Sequence, residues 1–242
     1  MKGLNFRYLL ISLMLVIGIA DADEYWELEA WIGGLFTPNF EEYKDPKERK
    51  EAFFEYLLPA INEHNNKIIK LRKQIINNNV SVEEISELKK RYKIEKNSDI
   101  SSLLNSVDIV PASLVLAQAA MESNWGRSRF AKYYHNFFGL WCFRKGCGVI
   151  PLDRDNYASH EVAKFSSLEK AVKYYMLSIN RNPAYDVFRQ IRKNKRDNNI
   201  PISGISLSEG LDKYAEIGYE YVETIKKIIL FNDLQRFDKL EN

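Results

Sequence analysis

Glu122 is the residue in this chain whose type and position most demand a chemical explanation. It ends the run from Pro111 to Met121, which is apolar around nearly a whole helix. The negative end of a helix dipole disfavours a further negative charge by ~0.3–1 kcal/mol. Burial beside Ala119, Met121 and Trp125 would disfavour ionisation further. Both effects raise the pKa, and a carboxyl that stays protonated near neutral pH can serve as a general acid. Glycosidic cleavage needs such an acid, because the leaving sugar oxygen is poor until it is protonated. The plain alternative is a glutamate turned to solvent at a helix end. The neighbourhood favours the acid: Trp125, Tyr133, Tyr134, Phe137, Phe138 and Trp141 follow closely. Aromatic faces stack on sugar rings, and Trp125 and Trp141 are the leading groove candidates. Ser123 lacks a Gly-x-Ser-x-Gly elbow, which argues against a serine nucleophile.

These residues need a scaffold, and the pattern predicts a largely helical one. From Pro46 to Asn77 the apolar residues Phe53, Leu57, Ile61, Ile68, Leu71 and Ile75 recur near helical spacing. Pro59 should bend or divide that helix. Ser81-Val82-Glu83-Glu84 is a capping-box start for a second helix to about Tyr92. The pair reads as a hairpin packed on the following domain rather than a partner-binding arm. Pro111 to Met121 should be a buried central helix, because it has no polar face. Residues 137–165 carry glycines, Cys142, Cys147 and Pro151, with Val149-Ile150 and Glu161 to Phe165 as a small β element. Ser166-Ser167-Leu168-Glu169 caps a helix to about Asn180. A polar loop is expected over 194–204, then helices near 207–217 and 219–234.

Ala120-Met121-Glu122-Ser123-Asn124-Trp125-Gly126-Arg127-Ser128-Arg129-Phe130-Ala131, followed by Asn136-Phe137-Phe138-Gly139-Leu140-Trp141, resembles the bacterial peptidoglycan N-acetylglucosaminidases of glycoside hydrolase family 73. Trp141-Cys142-Phe143-x-Lys145-Gly146-Cys147-Gly148, His160-Glu161-Val162 and Asn182-Pro183-Ala184-Tyr185 resemble the Bax-like branch. The resemblance spans about residues 110–232, and more loosely the helical segment before it. It implies a mainly α, lysozyme-like α+β fold: a helical bundle around a buried central helix, with a small β-hairpin lobe. It implies hydrolysis of the β-1,4 bond after N-acetylglucosamine in peptidoglycan glycan strands, with Glu122 as acid and neither metal nor organic cofactor. Tyr134, Asn136 and Phe138, with Trp125 and Trp141, become expected substrate-binding residues. The family's second acidic residue lies on the β lobe, where Glu161 competes with Asp153 and Asp155. An inverting enzyme needs that carboxylate about 6.5–9.5 Å from the acid, whereas assistance by the substrate's acetamido group needs none. Tyr214-Ala215 with Tyr221 corresponds to the family's C-terminal tyrosine stretch, so Tyr214 is expected to orient substrate or stabilise the transition state.

Composition narrows the remaining choices. The chain has 242 residues and a formal net charge of +2, too balanced for nucleic-acid binding through an overall field. With 45% hydrophobic and 13% aromatic residues it has enough apolar material for a core, which excludes disorder. Lys2 and Arg7, the apolar run from Tyr8 to Ala20, and Ala20-Asp21-Ala22 read as a signal peptide over residues 1–22. The alternative is an uncleaved anchor, but the run is short against the ~20 residues of a spanning helix. The organisation is then a leader, a helical extension over 23–109 and a catalytic domain over 110–234. The product is an exported monomer, periplasmic or wall-associated, without stable membrane insertion after cleavage. Export makes a Cys142–Cys147 disulfide plausible, favoured over zinc held by these cysteines with His135 and His160. Basic clusters at 67–73, 89–96 and 189–196 read as solvated helix faces, the last also as a candidate polyanion-binding face. The rival functions are a lytic transglycosylase and a catalytically silent glycan-binding protein.

Overall fold

The computed structural model describes residues 37–150 and 160–239. The leader, Asp153 and Asp155 lie outside the described residues. Helix α1 (Pro46–Ile76) opens the fold, with Asp45 capping the Lys47 N–H and Pro46 in the first turn. Next come α2 (Val82–Tyr92), whose Ser81–Glu84 capping box is formed at both ends, and the short α3 (Ile100–Ser106). The central α4 (Ala112–Glu122) follows, then α5 (Arg129–Tyr134). Three short strands come next: β1 (Trp141–Cys142), β2 (Gly148–Val149) and β3 (Glu161–Ala163). Helices α6 (Leu168–Arg181), α7 (Asp186–Asp197), α8 (Gly204–Ser208) and α9 (Tyr219–Phe231) complete the chain, with 3₁₀ turns among them.

The expected mainly α architecture with a small β lobe is what the chain forms. Every residue of α4 from Ala112 to Ala120 is buried, as a helix with no polar face must be. It is packed by α1, α8, α9 and the 3₁₀ turn Leu234–Phe237. Phe53, Phe54 and Leu57 of α1 belong to the same hydrophobic core as Leu114, Leu116 and Ala120 of α4. A second cluster, with Ile68, Ile75, Leu88, Tyr92 and Leu103, lies under the α1–α2 hairpin. In the sheet β3 is central and antiparallel to both neighbours, pairing Cys142 with Glu161 and Gly148 with Ala163. Among the described residues, no helix is long and apolar enough to cross a membrane.

Three expectations change or narrow. Pro59 does not divide α1, which runs unbroken across it. Pro59 is on the exposed face, so the carbonyl it leaves unpaired one turn earlier can be hydrated. The expected helix at 207–217 is instead the short α8, a 3₁₀ turn at Glu209–Leu211 and a run of turns. Gly210 sits so close to α7 that a Cβ there would come within 2.3 Å of the Phe188 backbone. This crossing, not local propensity, decides where the segment turns. The expected loop at 194–204 also shortens, because α7 continues to Asp197.

Candidate active site

Glu122 ends α4, and the chain then reverses through Asn124, Trp125 and Gly126, all at positive φ. Ser123 holds this turn: its Oγ donates to the Ala119 carbonyl (2.6 Å) and accepts the Gly126 N–H (2.8 Å). The Glu122 side chain is partly buried, and burial pushes its carboxyl above the ordinary value. A hydrogen bond from the Tyr221 hydroxyl to Oε1 (3.0 Å) offsets part of that rise.

Behind this bond stands a directed chain of hydrogen bonds. The Tyr175 hydroxyl donates to Gln118 Oε1, which leaves the Gln118 amide nitrogen to donate to the Tyr221 oxygen at 2.9 Å. The single Tyr221 hydrogen is thereby directed at Glu122. Burial raises the Tyr175 and Tyr221 phenols, and the nearby Glu122 charge raises them further, so both remain hydroxyl donors at neutral pH. Gln118 and Tyr221 approach from two helices, α4 and α9, and Tyr175 from a third, α6.

The other oxygen of Glu122 faces the turn after Asn136. Gly139 has φ +61°, and a Cβ there would lie 2.9 Å from Glu122 Oε2. A side chain at this position would therefore suffer both strain and collision. Asn136 builds the turn. Its Oδ1 accepts the Leu140 N–H (3.0 Å), while its amide donates to the Leu140 (2.9 Å) and Ala163 (2.8 Å) carbonyls. Tyr214 supports the same segment by donating to the Phe138 carbonyl at 2.9 Å, and its ring stacks on Tyr221 with centroids 5.2 Å apart.

The residues expected at the sugar thus divide. Trp141 is 52% exposed, on the sheet edge, with its ring flat on His160 at 3.9 Å. Tyr134 is half-buried at the end of α5. Phe138 is 1% exposed and stacks on Tyr175, so it supports the site from beneath and offers no face to a ligand. Asn136 is buried, with its amide committed to the backbone. Trp125 packs edge-on against Phe53 and Phe54 of α1, with Lys50 over its ring. Motif residues of these types suggested sugar contact, but the turn and the core use them.

On the β lobe, Glu161 is buried. Its Oε1 accepts the Gly146 N–H (3.0 Å) and its Oε2 the Gly148 N–H (2.8 Å). It anchors the loop that Cys142 and Cys147 close by a disulfide. With the cysteines joined, their sulfurs are not zinc ligands, and His135 is bound instead to the Phe165 carbonyl and Thr37. Gln118, Gly139, Tyr175 and Tyr221 are the site's neighbours that sequence reasoning gave no role at the acid. Gln118 carried a signal, as a lone amide inside an otherwise apolar helix.

Comparison with known proteins shows the family of the chain. The family model for glucosaminidases, described as mannosyl-glycoprotein endo-beta-N-acetylglucosaminidase, matches residues 97–234. The chain is 28% identical over 211 residues to Protein bax of Escherichia coli strain K12, covering 82% of this chain and 74% of that protein. The crystal structure of the catalytic domain of the autolysin Auto from Listeria monocytogenes superposes with a TM-score of 0.47 at 17% identity, covering 91% of this chain and 99% of the other.

Proposed function

The chain belongs to the glucosaminidase family and is a glycoside hydrolase, and from that premise we propose that it cuts the β-1,4 bond after N-acetylglucosamine in peptidoglycan glycan strands, with Glu122 as general acid. The observation that carries this reading is the state of Glu122: partly buried, raised in pKa, and pinned at one oxygen by Tyr221. Because Oε1 accepts the Tyr221 hydrogen, the acidic proton belongs on Oε2, the oxygen beside Gly139. From there it passes to the glycosidic oxygen as the bond to the anomeric carbon breaks. Gly139 leaves room for that approach, and the exposed face of Trp141 offers a stacking surface for a sugar ring.

Glu161 is our candidate for the second carboxylate. It is the one acidic side chain on β1–β3. The Gly146 and Gly148 N–H groups hold its carboxylate in one orientation, and a carboxylate so held could take the proton of an attacking water. Its anchoring of the disulfide loop would fix that water's position. The Cys142–Cys147 bond also supports action in an oxidising compartment, in keeping with the proposed leader over residues 1–22. We take 110–234 as the catalytic unit and 23–109 as an extension docked on it through α1.

Digestion of purified peptidoglycan by the wild type and by Glu122→Gln, with mass analysis of reduced products, tests the reaction. We expect reducible N-acetylglucosamine ends from the wild type and none from the variant. Anhydro-muramic ends would make the protein a lytic transglycosylase, and retention on the polymer without products would make it a binding module. For Glu161, Ala substitution should lower kcat by about 100-fold or more, and added azide should restore turnover. A loop anchor alone would show no rescue.

A further inference from the structure

Two basic clusters far apart in sequence meet in the fold, well away in residue composition from the acid site. Arg72 and Lys73 near the end of α1 face Lys195 and Arg196 near the end of α7 across a groove of about 1060 Å³. Among the described residues, none lining this groove hydrogen-bonds Glu122 or the Gln118, Tyr175 and Tyr221 side chains behind it. Arg72 and Arg196, together with Arg192, share a single carboxylate, Asp108, so three guanidinium charges meet one negative charge. Among the described residues, neither Lys73 nor Lys195 has a carboxylate within ion-pair distance. The groove's own acid, Asp238, bonded to the Ser113 N–H and hydroxyl and the Gly204 N–H, adds a single negative charge against the cations Arg72, Lys73, Lys195 and Arg196. A positive field therefore remains over the groove.

The lining is not only cationic. Ile76 (57% exposed) and Ile200 (46% exposed) stand beside the lysines, with further isoleucines beneath them. A solvated basic face has no use for exposed isoleucines, and a purely polar polyanion would gain nothing from them. Apolar side chains flanked by lysines are the arrangement that seats at the boundary of phosphate headgroups and acyl chains. We infer that this groove is a docking site for the anionic phospholipid headgroups of a bilayer surface. The contact is peripheral, with lysines on phosphates and isoleucines at the acyl boundary, and it would hold the hydrolase at a membrane through a groove whose Asp238 binds Ser113 at the start of α4, the opposite end from Glu122.

Co-sedimentation of the full chain with phosphatidylcholine vesicles, with and without phosphatidylglycerol, tests the inference. Comparison with Lys73→Gln/Lys195→Gln isolates the groove from any binding by the apolar N-terminal run, which both proteins share. Phosphatidylglycerol should strengthen wild-type binding, and the double variant should lose about 30-fold of it, roughly fivefold per lysine. Ile76→Ser/Ile200→Ser should weaken vesicle binding while leaving capture by soluble polyphosphate unchanged. Release of reducing ends from soluble glycan strands should match the wild type in both variants, which shows that they are folded. Equal vesicle binding by wild type and lysine variant overturns the inference. So does wild-type binding indifferent to phosphatidylglycerol, or isoleucine variants that bind vesicles as the wild type does. Should a glutamine variant lose soluble-glycan activity, Lys73→Arg/Lys195→Arg decides: wild-type vesicle binding by this active variant supports the inference, and loss of that binding overturns it.

Discussion

Tyr221 has one hydrogen, and Gln118 decides where it points. Because the Gln118 amide fills the Tyr221 oxygen, the hydrogen lies on Glu122 Oε1 whatever the state of the acid. Burial raises the Glu122 pKa and this bond lowers it, so removing the bond should raise it further. A general acid works in its protonated form, below its pKa. Tyr221→Phe should therefore move the alkaline limb of the kcat/KM profile to higher pH. It should also cost about tenfold in kcat, the worth of a lost hydrogen bond. A pH–rate series on defined glycan fragments checks both, and an unmoved alkaline limb would count against Glu122 as the group that titrates. At this scale the sequence exposed Glu122, since a carboxylate closing an apolar helix is visible without coordinates. It named Tyr221 only within a tyrosine stretch and could not expose its bond to Glu122, 99 positions away, because that partnership is made by helix crossing. Nor could it tell that the Asn136 amide and the Phe138 ring would be spent on a turn and a core rather than a sugar.

Helix starts were legible because capping is local chemistry: Ser81 and Ser167 cap the helices expected of them. The interior of α1 was harder to read, since Pro59 argues locally for a break while Phe53, Phe54, Leu57 and Ile61 pack on both sides of it. Packing prevails, and α1 carries a proline whose cost hydration of the freed carbonyl relieves only in part. Exposed interior prolines are unfavourable by ~3 kcal/mol relative to alanine. Pro59→Ala should thus stabilise the chain by about 1–3 kcal/mol and leave hydrolysis unchanged, as urea unfolding and product release would report. A destabilised variant would mean that the proline ring itself packs. The segment after α8 was illegible for the converse reason, since its turns answer to the close approach of Gly210 to Phe188.

Across the whole molecule, Asp108 joins three stretches of chain, bonding Arg196 in a fork and lying within 3.7 Å of Arg192 and 3.5 Å of Arg72. Burial alone would raise its carboxyl, but the three arginines outweigh burial and hold it below the ordinary value. A depressed pKa contributes stability that is present above the unfolded-state value, about 4, and lost as pH falls through the folded one. Asp108→Asn should cost about 3–5 kcal/mol near neutrality by leaving buried guanidiniums unanswered. The gap from wild type should narrow as both are unfolded at progressively lower pH towards 2, and a gap independent of pH would exclude the charge as its cause. The basic clusters were visible in the sequence, but that one carboxylate would gather their arginines was not. The family-matched segment starts at residue 97, yet the floor under Trp125, three residues past the acid, is made by Phe53 and Phe54. Anyone grafting this enzyme onto another protein would have to carry α1 across with it, since the portable cassette is longer than the stretch its family shares.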